Sequence, residues 1–172
     1  MPLTAAQKVT LKADILADPT LSAFPNNDDG AFAIADAYNA LASPDYWVWR
    51  TSVPKNEFTQ NAGPDGTTFT WTGNGFITRS QGERDAWREL FNASGAVNAS
   101  LANVRQAFQD IFSGAQAEAV NNRAHIAAVA RRKASRVEKL FATGTGSTGS
   151  PALMGFEGTI TFQDVSSARN LP

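Results

Sequence analysis

EFTQNAGPDGTTFTWTGNGFITR, residues 57–79, decides whether this chain is wholly helical or mixed. Thr67, Phe69 and Trp71 alternate with Thr68, Thr70 and Thr72, and β-branched and aromatic residues in a period of two favour strands. Gly63-Pro64-Asp65-Gly66 and Gly73-Asn74-Gly75 supply turn chemistry on either side. The stretch predicts a small antiparallel meander with strands at about 57–61, 67–72 and 76–79.

Just before it stands SPDYWVWRTSVP, residues 43–54. In an extended segment Trp47 and Trp49 point to one side, Tyr46 and Val48 to the other. Both sides are then apolar. That fits either a connector buried on two faces or a contact with a second subunit, with Arg50 at its exit.

Helical patterns flank this middle. Thr4 and Gln7 have the spacing of a capping box, and Leu11, Ile15 and Leu16 follow as an apolar stripe that ends at Asp18-Pro19. Asp28 or Asp29 is placed to cap a second helix with Phe32, Ala35, Tyr38 and Leu41 on its buried face, stopped by Ser43-Pro44. Ser80 and Glu83 form another capping box before Trp87, Leu90 and Phe91. Asn98 or Ser100 opens the next helix, where Leu101, Val104, Phe108, Ile111 and Phe112 recur at steps of three and four as far as Gly114. A long helix is expected over about 117–142, with Ile126, Val129, Ala130, Val137, Leu140 and Phe141 on its apolar side.

TGTGSTGSP, 143–151, reads as a flexible linker. Beyond it, Met154 to Val165 predicts one or two short strands. The expected organisation is a helical body over 1–142 with a β insertion at about 57–79, the linker, and a C-terminal arm over 152–172. The fold class is mainly α with a small antiparallel β meander, α+β. The arm is too poor in apolar residues to fold alone, so it either returns to the body or adds to a neighbour.

Composition narrows the chemistry. The chain has 172 residues, a net charge of −1 and no cysteine. Disulfides, thiolate catalysis and cysteine-based zinc sites are excluded, and no global charge draws the molecule to nucleic acid or an anionic membrane. The N-terminal residues lack the pattern of a signal peptide, and no stretch has the apolar length of a membrane span. Gly144-x-Gly146-x-x-Gly149 matches a dinucleotide fingerprint in letters, but it follows a helix and precedes Ser-Pro, so the linker reading prevails. His125, the only histidine, is expected as a partly exposed helix residue. Asp28-Asp29 reads as a helix cap rather than a metal site. Glu83, Asp85 and Glu89 lie among Arg84 and Arg88, which points to a salt-bridged face rather than acid–base work. Arg123, Arg131, Arg132, Lys133, Arg136 and Lys139 fall within one expected helix. They present a solvated face, a contact for an acidic partner, or, less compatibly without interleaved aromatics, a phosphate-binding stripe.

Three blocks, SPDYWVWRTSVP, ITRSQGERDAWRELFNASGAVN and ARRKASRVEKLFATGTGSTGSPALMGFEGTITFQDVSSARN, resemble in their order a family of tailed-phage and prophage virion structural proteins. The resemblance covers nearly the whole chain and carries no catalytic motif. It implies a non-enzymatic virion component, made in the bacterial host cytoplasm and similar to the head–tail adaptors that form a homo-oligomeric ring between portal and tail, past which the genome DNA moves without sequence-specific binding. The aromatic segment 57–79 departs from the simplest helical adaptors and leaves capsid decoration, tail termination or another tail-associated role open. On this reading no cofactor or metal is expected. The expected contacts with neighbouring subunits, portal or tail are Arg131, Arg132 and Arg136, the aromatics Trp47 and Trp49, and Phe156, Ile160 and Phe162 of the arm. Outside this class, a small hydrolase using Glu83, Asp85 or Glu89 and a nucleic-acid-binding protein using the basic residues are the alternatives.

Overall fold

Along the chain run α1 (Ala5–Ala17), α2 (Pro19–Ser22), α3 (Asp28–Asn39), β1 (Trp47–Trp49), β2 (Val53–Pro54), α4 (Lys55–Thr59), a 3-10 turn at Gly73–Gly75, α5 (Gln81–Glu89), β3 (Ala96–Val97), α6 (Ala102–Ile111), α7 (Ala117–Val129), β4 (Arg131–Lys133), α8 (Arg136–Leu140) and α9 (Phe162–Arg169). This is a computed structural model describing residues 2–92 and 94–172. The class is mainly α with a small β component, as the sequence leads one to expect. β1 pairs with β4, and β2 runs antiparallel to β3 with Val53 opposite Val97 and Pro54 opposite Ala96.

The chain divides into two units, and the division is discontinuous. One unit holds the chain through Val48 together with Lys133–Pro172; the other is Trp49–Arg132. The expected partition into body, linker and arm is therefore replaced by a unit built from both ends of the chain and a unit inserted into it.

In the first unit, α1, α3 and α9 pack around Leu11, Ile15, Ile34, Tyr38, Val165 and Ala168, all essentially inaccessible. The Thr4–Gln7 capping box forms as expected. Asn27, rather than Asp28 or Asp29, caps α3 by accepting from the Gly30 N–H, which leaves the two aspartates in the first turn, where the helix dipole favours them. The C-terminal strands do not form. Thr161 and Asp164 make a capping box, and residues 162–169 become a helix that buries Val165 and Ala168. Nor is 143–151 a slack linker. Thr143 and Leu153 exchange both backbone hydrogen bonds, and Gly146 accepts from the Trp47 N–H while Ala152 N–H donates to the Trp47 carbonyl. Gly146 sits at φ 67 beneath the Tyr46 ring, where an added Cβ would lie 2.1 Å from a ring carbon. The Gly-rich composition serves close approach and positive φ rather than mobility.

The second unit is centred on aromatic rings. Phe58, Phe69, Trp87, Phe91, Phe108 and Phe112 are buried together. Phe69 stacks on Trp87 at 5.6 Å between centroids, and Phe112 meets Trp87 edge-on at 5.3 Å. Such pairs add about 0.5–1.5 kcal/mol each beyond their burial. Among the described residues, the buried Trp87 indole N–H has no acceptor. The expected meander is absent: 55–59 is helical, and 60–80 is irregular apart from the 3-10 turn. Its peptide groups bond to tight turns and to side chains of α7 instead of to neighbouring strands. The expected helix over 117–142 breaks after Val129, runs through β4, and restarts at Arg136 under a Ser135–Glu138 capping box.

Candidate interaction surfaces and buried polar sites

α7 carries the polar side chains that hold the irregular segment of the second unit. Asn122, fully buried, accepts from the Thr70 N–H at 2.7 Å and donates to the Thr70 and Gly75 carbonyls at 3.0 Å each. A primary amide that engages both groups of one peptide residue takes the place of a paired strand. Asn121 adds a bond to the Thr68 carbonyl at 2.9 Å. His125 lies one turn further on and is also fully buried, which corrects the expectation of a partly exposed side chain. Its Nε2–H donates to the Phe58 carbonyl at 2.8 Å. Its Nδ1 lies 3.1 Å from the Thr67 hydroxyl, which in turn lies 2.6 Å from Asp65. The Thr67 hydroxyl bond, together with the Thr67 and Asp65 backbone N–H groups, holds the Asp65 carboxyl below the usual carboxylate range against the opposing effect of burial. The acid and the imidazole therefore tie the 63–67 turn to α7.

The first unit repeats the device. Asn39 on α3 donates to the Ile160 carbonyl and accepts from the Ile160 N–H, both at 2.9 Å, and so fixes the chain entering α9. Beside it a groove of 710 Å³ is lined by Asp14, Asp18, Leu41, Arg136, Lys139 and Leu140 among others. Arg136 spans Asp14 at 3.3 Å and Asp18 at 2.9 Å and stacks 4.7 Å from the Tyr38 ring centre. The hydrogen bond from Arg136 lowers the Asp18 carboxyl. Burial, reinforced by donation to Asp14, pushes the Tyr38 phenol far above its ordinary value. The groove's two carboxylates are thus engaged by Arg136 from one side.

The six basic residues do not form one stripe. Arg123 donates to the Phe112 and Gly114 carbonyls, Arg136 is held by two aspartates, and Lys133 pairs with Asp45 at 2.7 Å. Arg131 and Arg132 lie half-buried in β4, off the helix on which they were placed. The break between α7 and α8 removes the common face that a phosphate-binding reading needs. Glu83 and Asp85 likewise serve structure. Burial pushes Glu83 up, but bonds from Ser80 and Arg79 overcome it and lower the carboxyl overall; Gln81 and then Arg88 lower Asp85. A general acid needs the opposite shift. Among the described residues no three His, Cys, Asp or Glu side chains are grouped to hold a metal ion, and no helix is long and apolar enough to cross a membrane.

Trp47 and Trp49 are each half-buried under a cation: Lys133 lies 6.0 Å from the Trp47 ring centre and Arg105 4.8 Å from that of Trp49. Val48 between them is fully buried against Ala134 and Ala152. Phe156 and Ile160 are buried in the core of their own unit and are not available to a neighbour. Phe162, half-buried, stacks on Phe32 at 4.1 Å. Sequence reasoning missed Asn39, Asn122 and the Asp65–Thr67–His125 chain, for which no spacing gives a signal. It also passed over Ser135-x-x-Glu138 and Thr161-x-x-Asp164, whose spacing was visible.

The apolar stripes turn less of themselves inward than expected. Leu16, Phe32, Leu41 and Leu101, all expected on buried faces, stand 66%, 50%, 65% and 47% exposed. Comparison with family models, curated proteins and solved structures finds no match to this chain.

Proposed function

We propose that this chain is a non-enzymatic structural component of a tailed-phage particle, and within that class a head–tail adaptor that assembles as a ring of identical subunits between portal and tail. The observation that carries the reading is the contrast between its polar and apolar side chains. Arg79, Arg123, Arg136 and Arg169, with Asp18, Glu83 and Asp164, are engaged in caps, carbonyl contacts and ion pairs within a unit. Large apolar side chains, among them Val9, Leu16, Leu41 and Ile77, remain in solvent. Exposed apolar side chains of this size suit a protein that buries them on assembly. The resemblance of the three sequence blocks to virion structural proteins points the same way.

The structure alters how such a role would work. The C-terminal arm is folded into its own unit, so docking to neighbours falls to exposed helix faces rather than to a tethered tail. Mass spectrometry of purified particles and image reconstruction of the neck test the proposal. The protein is expected as a ring beneath the portal, and its deletion is expected to leave filled heads and free tails. Normal particles that lack the protein would overturn it.

A further inference from the structure

Helix α1 is amphipathic in an unusual sense. Its buried side holds Leu11 and Ile15, yet its solvent side is also without charge: Ala6, Val9, Ala13, Leu16 and Ala17 all face out. Thr10, the one polar residue among them, donates its hydroxyl back to the Ala6 carbonyl. Asp14 is turned away and engaged by Tyr38 and Arg136. Lys8 and Lys12, one turn apart, border the apolar face on one flank; Lys12 also donates to the Leu171 carbonyl and keeps further N–H groups for an outside acceptor. Val9 and Leu16 are 60% and 66% exposed, and the small side chains around Leu16 permit close backbone approach.

In the second unit, α5 and α6 enclose a groove of 420 Å³. Ala86 and Leu90 from one helix and Ala107 and Ile111 from the other make its apolar walls, each pair one turn apart. Glu89 and Asp110 stand at its rim. Among the described residues no cation pairs with either: Glu89 accepts from Asn92 and Asp110 from Gln106, both neutral amides, while Arg88 is taken by Asp85 and Arg84 by the Ile77 carbonyl. The groove is therefore apolar at its floor and negative at its rim. The α1 face is apolar at its centre and positive at its edge.

We propose that α1 of one copy docks in the α5–α6 groove of the next, with Leu16 as the inserted side chain and Lys8 and Lys12 facing Glu89 and Asp110. The occupant is a second copy because this chain carries both complementary surfaces, on different elements. The contact is heterologous, so every subunit offers one donor face and one acceptor groove, and repetition builds a ring when the rotation closes. This deepens the adaptor reading and rests on it for closure of the ring. One helix in one groove is small beside the roughly 800 Å² per partner of a standard interface, so the contact is weak in free solution and gains strength from ring closure.

The absence of cysteine gives a clean test. Full-length Leu16→Cys and Ala107→Cys proteins are mixed and oxidised, with Ser147→Cys as an off-face control. A mixed disulfide dimer from the first two, and none with the control, is expected. In sedimentation velocity the native protein is expected to self-associate with rising concentration. Leu16→Glu, or Glu89→Lys with Asp110→Lys, should weaken this about tenfold or more, and mixing the groove double variant with Lys8→Glu/Lys12→Glu should restore it. Thermal melts check that each variant folds, and Leu16→Glu keeps the test decisive if the lysine variant does not, because Leu16 is largely in solvent. A monomer at all concentrations with no mixed disulfide, or association that Leu16→Glu leaves intact, overturns the proposal. Particle mass spectrometry separates the two readings: protein present in the neck without this contact sinks the contact alone, and the contact without protein in particles sinks the adaptor role alone.

Discussion

Asn39 and Asn122 perform the same task in the two units and are embedded differently. Each uses its amide to pair with the N–H and carbonyl of one peptide residue, Ile160 in the first unit and Thr70 in the second. Asn39 is half-buried and acts at a helix entry that also has the Thr161–Asp164 capping box. Asn122 is wholly buried, donates a third bond to the Gly75 carbonyl, and belongs to a row with Asn121 and His125 that substitutes for the missing strands. The first unit is thus held by helix packing with redundant local caps. The second depends on an aromatic core and on a few buried polar groups without replacement.

The largest effect tests the first unit. Removing 161–172 strips α9 from the core that it shares with α1 and α3, and loss of that whole unit's cooperative unfolding is expected, read by circular dichroism and limited proteolysis. A truncated protein that keeps its native melt would show that the arm is an accessory after all.

The two asparagines give the direct comparison. Asn122→Leu leaves one N–H and two carbonyls buried and unpaired, a cost of about 3–5 kcal/mol. Asn39→Leu, at a partly solvated and doubly capped site, is expected to cost about 1–2 kcal/mol. Denaturant unfolding of both variants measures the difference, and equal losses would remove the distinction between the units. Thr67→Val, which cuts the link between Asp65 and His125, is expected to fall between them at about 2 kcal/mol.

Acid sharpens the comparison next. Asp18 in the first unit, and Glu57 and Asp65 in the second, have folded pKa values lowered chiefly by hydrogen bonds from Arg136, Arg50 and Thr67 respectively. A lowered folded value means that the stabilisation is complete above the unfolded carboxylate range, about pH 4, and is lost as pH falls through the folded values. Melting temperature is therefore expected to be level from neutral pH down to about pH 5 and to drop below about pH 4. Asp18→Asn should flatten that drop for the first unit and leave the second unchanged. The smallest effect is expected from Trp87→Phe, where the lost ring volume is offset by removal of an unsatisfied N–H, a net change within about 1 kcal/mol.

Legibility followed the range of the interaction. Thr4–Gln7 and Ser80–Glu83 formed as their spacing required, because a capping box is complete within four residues. Trp87, Phe91, Phe108 and Phe112 are buried as their helical period implied. The same reasoning failed for Leu16 and Leu41, since a period marks an apolar face without saying what covers it. It failed for 57–79 because alternation of threonine with aromatics describes an extended chain equally well when the bonding partner is a row of side chains on a distant helix.

The sequence by itself determined the helical class, the capped starts of α1 and α5, the absence of thiol chemistry and the aromatic stock of the second core. All of these are local or compositional. Only the tertiary structure decided that both chain ends form one unit, that 143–151 is laced to Tyr46 and Trp47, and that His125 and Asn122 are buried supports. It also set Lys133 and Arg136 on distant carboxylates and Arg123 on carbonyls next to its own helix. The physical reason is common to all of these: the partner of each buried polar group lies tens of residues away, and its position is fixed by packing rather than by spacing along the chain.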